Sequence, residues 1–126
     1  MTEDAEPAAL EVGLRSFNDG RYIDAHEEIE ERWEATSDES SDFYKGLIQA
    51  AICLHHFREG NLPGARKLYS GHRRYLAAYL PAHLGVDVAS FLADMQTFLR
   101  PVLRAKEGER VAFEMDARPI VRFHSN

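Results

Sequence analysis

The segments Ser16-Phe17-Asn18-Asp19-Gly20 and His56-Phe57-Arg58-Glu59-Gly60 decide the fold. They begin 40 residues apart, and five residues beyond each glycine stands an alanine, Ala25 and Ala65. A quasi-repeat of that period is the mark of stacked helical hairpins. Each glycine offers the backbone freedom with which helices end.

Outward from these two points the helical pattern fills in. Ala9, Leu10, Gly13, Leu14 and Phe17 recur at helical spacing and predict a first helix from about Pro7, ended by Asn18-Asp19-Gly20. A second helix is expected from about Tyr22 to Ala35, followed by a polar turn over Thr36–Ser41. Ser40 or Ser41 offers a cap for a third helix reaching about Glu59. Asn61 offers a cap for a fourth, with Pro63 in its first turn, running to about Tyr79 before Pro81. A fifth is expected from Asp87 to about Arg104. Between Phe43 and Phe57 the polar positions are few, so this helix is apolar nearly all round and should be the central one.

The two ends read differently. Residues 1–6 are acidic and are expected to be disordered, with the helical domain over 7–106. Over 107–126 the apolar residues Val111, Phe113 and Met115 alternate with polar ones, the pattern of an extended segment. An isolated hairpin is marginal in water, so this tail must pack on the bundle or on a second subunit. The reading is an all-α fold of about five helices with a short extended C-terminal tail.

The 126 residues suit one domain with a self-sufficient core. A formal net charge of −6 disfavours nonspecific nucleic-acid binding. The single cysteine, Cys53, leaves no internal disulfide and points to a reducing compartment. The acidic start has no signal-peptide character, and the longest apolar stretch, Gly46–Leu54, is too short to span a membrane. The expected location is cytoplasmic.

The chemistry-bearing stretch is His26-Glu27-Glu28-Ile29-Glu30-Glu31-Arg32-Trp33. On a helical wheel Tyr22, His26, Ile29 and Trp33 share a narrow arc, with Glu30 beside them and Glu27 further round. On the third helix Tyr44, Ile48, Ala51 and His55 form a matching stripe, flanked by Gln49 and His56. Antiparallel packing would bring His26 level with Ala51, and His55 within about 6 Å along the axis. The candidate pocket is therefore His26, Glu27, Glu30, Trp33, Tyr44, Gln49 and His55. Two imidazoles and a carboxylate, His26, His55 and Glu30, make a candidate first shell for a divalent metal such as zinc, with Glu27 as general base. The competing reading makes the two histidines core residues bonded to Glu30, Tyr22 or Tyr44. Complete catalytic motifs are missing: Glu30 stands where a zincin needs its second histidine, and Ile23 and Ile52 stand where a di-iron bundle needs glutamates. Basic side chains on the fourth helix, Arg66, Lys67, Arg73 and Arg74, are expected to pair with the acidic second helix.

Three stretches resemble one known family. His26-Glu27-x-x-Glu30-x-x-Trp33, Phe43-Tyr44-Lys45-Gly46-Leu47-Ile48-Gln49-Ala50-Ala51 and Gly60-Asn61-x-x-Gly64-Ala65 are similar, in order, to the signatures of domain of unknown function 309. The resemblance implies an all-helical fold of two tetratricopeptide-type hairpins and brings no activity, substrate or cofactor. Two function readings follow. The first is a module that binds a protein, peptide or small molecule, completed as a closed bundle or as a homodimer. The second is a small metal-dependent hydrolase using His26, Glu30 and His55.

Overall fold

The computed structural model describes residues 5–35 and 39–124, with side chains from residue 10 onward. The duplicated segments end α1 (Ala5–Asn18) and α3 (Ser41–Arg58) in the same way. Gly20 and Gly60 take φ of +82° and +84°. Gly20 N–H donates to Phe17 O at 2.9 Å and Arg21 N–H to Ser16 O at 2.9 Å; the counterparts, Gly60 to Phe57 and Asn61 to His56, measure 3.0 and 2.8 Å. This paired 5→2 and 6→1 bonding needs a left-handed residue that only glycine adopts without strain. The following helices, α2 (Tyr22–Glu34) and α4 (Leu62–Leu76), begin alike too. Ala25 N–H and Ala65 N–H each donate to the residue four back at 3.0 Å, and both alanines are fully buried.

Helix limits follow the caps. Asn61 Oδ1 accepts from Gly64 N–H at 3.0 Å, and Asp87 Oδ1 accepts from Ser90 N–H at 3.0 Å to open α5 (Val88–Arg104). α1 begins at Ala5, before Pro7, and α4 passes into a 3₁₀ turn, Ala77–Tyr79, before Pro81. The expectations for residues 1–4 and for the turn at 36–38 lie outside the described residues. No helix among the described residues is long and apolar enough to cross a membrane.

α3 is the central helix, packed against α2 and α4. Its approach to α4 is close because Gly46 and Gly71 have no side chains. A Cβ on Gly46 would meet Leu76 Cγ at 2.7 Å, and one on Gly71 would collide with the Gln49 amide. The start of α3 is tied down from three elements: Trp33 Nε1–H donates to Ser41 Oγ at 3.1 Å, Tyr79 donates to Glu39 O, and Ser40 Oγ lies 2.9 Å from His83 Nε2. Ser40 holds the cap position without a side-chain cap bond, because its hydroxyl is taken by His83.

Sequence reasoning missed a two-stranded hairpin, β1 (Ala82–His83) and β2 (Val86–Asp87). Its turn carries Leu84 at φ +49°, a left-handed conformation uncommon for a side chain of this kind. The tail lies on the helices of its own chain. The residues 111, 113 and 115 form no strand ladder; a 3₁₀ turn occupies Met115–Ala117, and pairing is confined to the bridge Val86↔Phe123. Asp87 N–H donates to Arg122 O at 2.9 Å and His124 N–H to Gly85 O at 3.1 Å. Asn18 exchanges two bonds with the Val121 backbone, at 3.0 and 2.7 Å, while Arg118 donates twice to Asn18 O.

The expected ion pairing of α2 with α4 is absent among the described residues. α3 stands between them, and two of the basic side chains of α4, Arg66 and Arg73, turn to α5 instead. Arg66 donates to Val102 O at 3.2 Å and Arg73 to Leu92 O at 3.3 Å.

Candidate functional site

The buried arc of α2 is Tyr22, Ala25 and Ile29, and His26 sits on its shoulder, not at its centre. Ala25 pulls the arc round, since α2 is covered by both α1 and α3. His26 Nε2 lies 3.2 Å from Glu30 Oε1, four residues on, with the side chains 28% and 39% exposed. Glu27 is exposed. Trp33 packs partly on the core and spends its N–H on Ser41. Tyr44 is fully buried, edge-on to Phe43 at 5.7 Å. Gln49 lies against Gly71. His55 is half-buried; its ring centroid is 6.0 Å from that of His56, and its buried Nδ1 has no hydrogen-bond partner.

No hydrogen bond or ring contact joins His26 to His55 among the described residues. Nor are any three His, Cys, Asp or Glu side chains disposed there to hold a metal ion. His26 and Glu30 satisfy each other along one helix, so the structure does not bring them together with His55 as a ligand set.

Five cavities among the described residues lie elsewhere, and none of these is lined by the seven residues. Three of them border residues 106–121. The first, about 440 Å³, is walled by Phe57, Phe98, Pro101, Pro119 and Ile120. Its polar rim includes Asp94 and Arg122, paired at 3.0 Å. The second, about 350 Å³, adds Arg58 and Phe113, and the third, about 520 Å³, adds Pro63 and Arg66. Between them the Phe113 ring is seated among Phe57 and Phe98, each at 5.1 Å, and Tyr22 at 6.1 Å. These edge-to-face distances are favourable for aromatic pairs.

Beneath Phe113 lies a polar group without a partner. Tyr22 is fully buried, and its hydroxyl has no hydrogen bond among the described residues. Burial pushes its pKa up to about 12, against the opposing charges of Arg118 and Arg58. Arg58 lies over the Tyr22 ring at 4.8 Å and donates to Gly20 O at 2.7 Å. Cys53 is likewise buried, its thiol pushed up to about 12, and donates to Ala65 O at 3.2 Å.

Sequence reasoning also passed over His72. It is fully buried in α4, donates from Nδ1 to Gly46 O at 3.2 Å, and leaves Nε2 without a partner. Burial lowers its pKa to about 4. The signal was present: Ala65, Tyr69, His72 and Leu76 recur at helical spacing.

Residues 10–68 match the family model described as Domain of unknown function (DUF309). Through this stretch the chain is similar to the members of that family. An uncharacterized protein of Aquifex aeolicus (strain VF5) is 31% identical over 103 residues, covering 81% of this chain and 30% of that protein. The uncharacterized protein YpuF of Bacillus subtilis (strain 168) is 35% identical over 79 residues, covering 60% of this chain and 45% of that protein. The chain thus spans less than half the length of these two relatives. The match covers α1 from residue 10, α2, α3 and the first turns of α4, whereas the hairpin, α5 and the tail lie beyond it.

Proposed function

We propose that the protein is a binding module for extended peptide segments, and that its binding surface is the aromatic groove its own residues 111–123 occupy. One observation carries this reading: Phe113 sits in a cage of Tyr22, Phe57 and Phe98, while the neighbouring backbone is held by Asn18, Gly85 and Asp87. Backbone hydrogen bonds with a pocketed side chain are how extended peptides are recognised. The cavities along the tail leave room for a longer or bulkier occupant. No comparable observation favours the metal-dependent hydrolase.

The test uses a fluorescent peptide with the sequence of residues 109–123, titrated into the full chain and into Phe113→Ala by anisotropy. Saturable binding is expected, tighter to Phe113→Ala because the resident tail then competes less. Absence of saturable binding to both proteins would overturn the reading.

A further inference from the structure

A second surface, independent of the groove, gathers positive charge. Lys45 on α3 and Arg74 on α4 both reach the ring of Tyr75, with Nζ 4.8 Å and Cζ 5.1 Å from its centroid. The fold builds this convergence. Because Gly46 has no side chain, Tyr75 approaches so closely that a Cβ there would meet Tyr75 Cβ at 3.2 Å. Lys45, next in sequence, is thereby carried over the phenol.

No ion pair to a carboxylate engages either cation among the described residues. Other arginines are differently placed: Arg58, Arg66, Arg73 and Arg118 are spent on backbone carbonyls, and Arg122 on Asp94. In a chain of net charge −6, two cations sharing one phenol and no acid form an uncompensated positive spot. Guanidinium, ammonium and phenol O–H are three donors of the kind that hold a tetrahedral oxyanion.

We propose that Lys45, Arg74 and Tyr75 form a binding site for a phosphate monoester or phosphate group. A planar carboxylate has two oxygens and a single negative charge. A phosphate dianion carries nearly twice the charge and three acceptor oxygens, matching the donors in number. The phenol is also a reporter. Interaction with Lys45 first and Arg74 second holds its pKa below the ordinary value of 10. A bound dianion would offset both and push that ionisation back up.

The experiment follows phenolate absorbance of the full chain against pH at constant ionic strength, with chloride replaced stepwise by inorganic phosphate. The phenol that ionises early should vanish in Tyr75→Phe, and in the native chain phosphate should raise its pKa saturably. Lys45→Met, at a half-buried position, and Arg74→Gln, at an exposed one, should each weaken phosphate about tenfold, the equivalent of about 1.4 kcal/mol. A second arm replaces inorganic phosphate with a phosphoserine peptide. Tighter binding of the peptide identifies a modified protein as the source of the group, and equal binding identifies free phosphate or a small phosphate ester. An ionisation unmoved by either probe, or binding unchanged in Lys45→Met, would overturn the proposal.

Discussion

His72 Nδ1 and Gly46 O meet at 3.2 Å in the interior, so the one buried imidazole of α4 is fixed as the neutral tautomer with its proton on Nδ1. Its pKa of about 4 lies below the ordinary 6.5. The unfolded chain therefore takes up a proton between those values that the folded chain refuses. His72 contributes its full stability above pH 6.5 and loses it progressively as the pH falls toward 4. Denaturant unfolding should show a decline of up to about 1.4 kcal/mol per pH unit from this group. His72→Gln, whose amide can still donate to Gly46 O, should flatten that part of the profile.

The two matched turns provide an internal control. A Cβ on Gly60 meets nothing within 4 Å, whereas one on Gly20 strikes the end of Met115. Gly60→Ala should cost about 1–2 kcal/mol, the left-handed penalty alone. Gly20→Ala should cost that and also displace Met115, raising hydrogen exchange in residues 111–123. Equal exchange in the two variants would contradict the role given to Met115 as a neighbour of the turn.

Gly46→Ala should be worse than either. Its Cβ would press on Leu76, which is fully buried and cannot retreat into solvent. A loss of about 2–3 kcal/mol is expected from overpacking in the core. Leu76→Val in the same chain should recover part of it, read as a negative coupling in a double-mutant cycle.

His26→Ala should change stability by less than about 1 kcal/mol, as a half-exposed i,i+4 contact along one helix contributes little. Phe113→Ala should cost more, about 2 kcal/mol, because a half-buried ring leaves an aromatic cage. Both follow from thermal unfolding, and a larger loss for His26→Ala than for Phe113→Ala would reverse the ranking of the two places.

Helix limits were legible because local chemistry writes them: Gly20 and Gly60 stop helices, while Asn61 and Asp87 start them. The hairpin was not, since His83-Leu84-Gly85 lacks the Asn-Gly or Asp-Gly pair that announces such a turn. A helical wheel gave His26 the centre of the stripe because it weighs periodic positions equally. In the folded chain the smaller Ala25 lets a neighbour approach, and the arc shifts by one residue. Ser40 was legible as a helix start, yet its hydroxyl serves His83, a partner 43 residues away that no local pattern reveals. The groove was illegible for the same reason: Tyr22, Phe57, Phe98 and Phe113 come from four separate segments.

The clasp between Asn18 and Val121 joins positions 103 residues apart. During synthesis α1 to α5 emerge before its second half exists, so for that interval the Tyr22 hydroxyl and the rings around it stand open to the cell. A newborn chain thus passes an interval in which this aromatic surface lacks the segment that covers it in the finished fold, and under the proposed peptide-binding role a segment of another polypeptide has its best opportunity then.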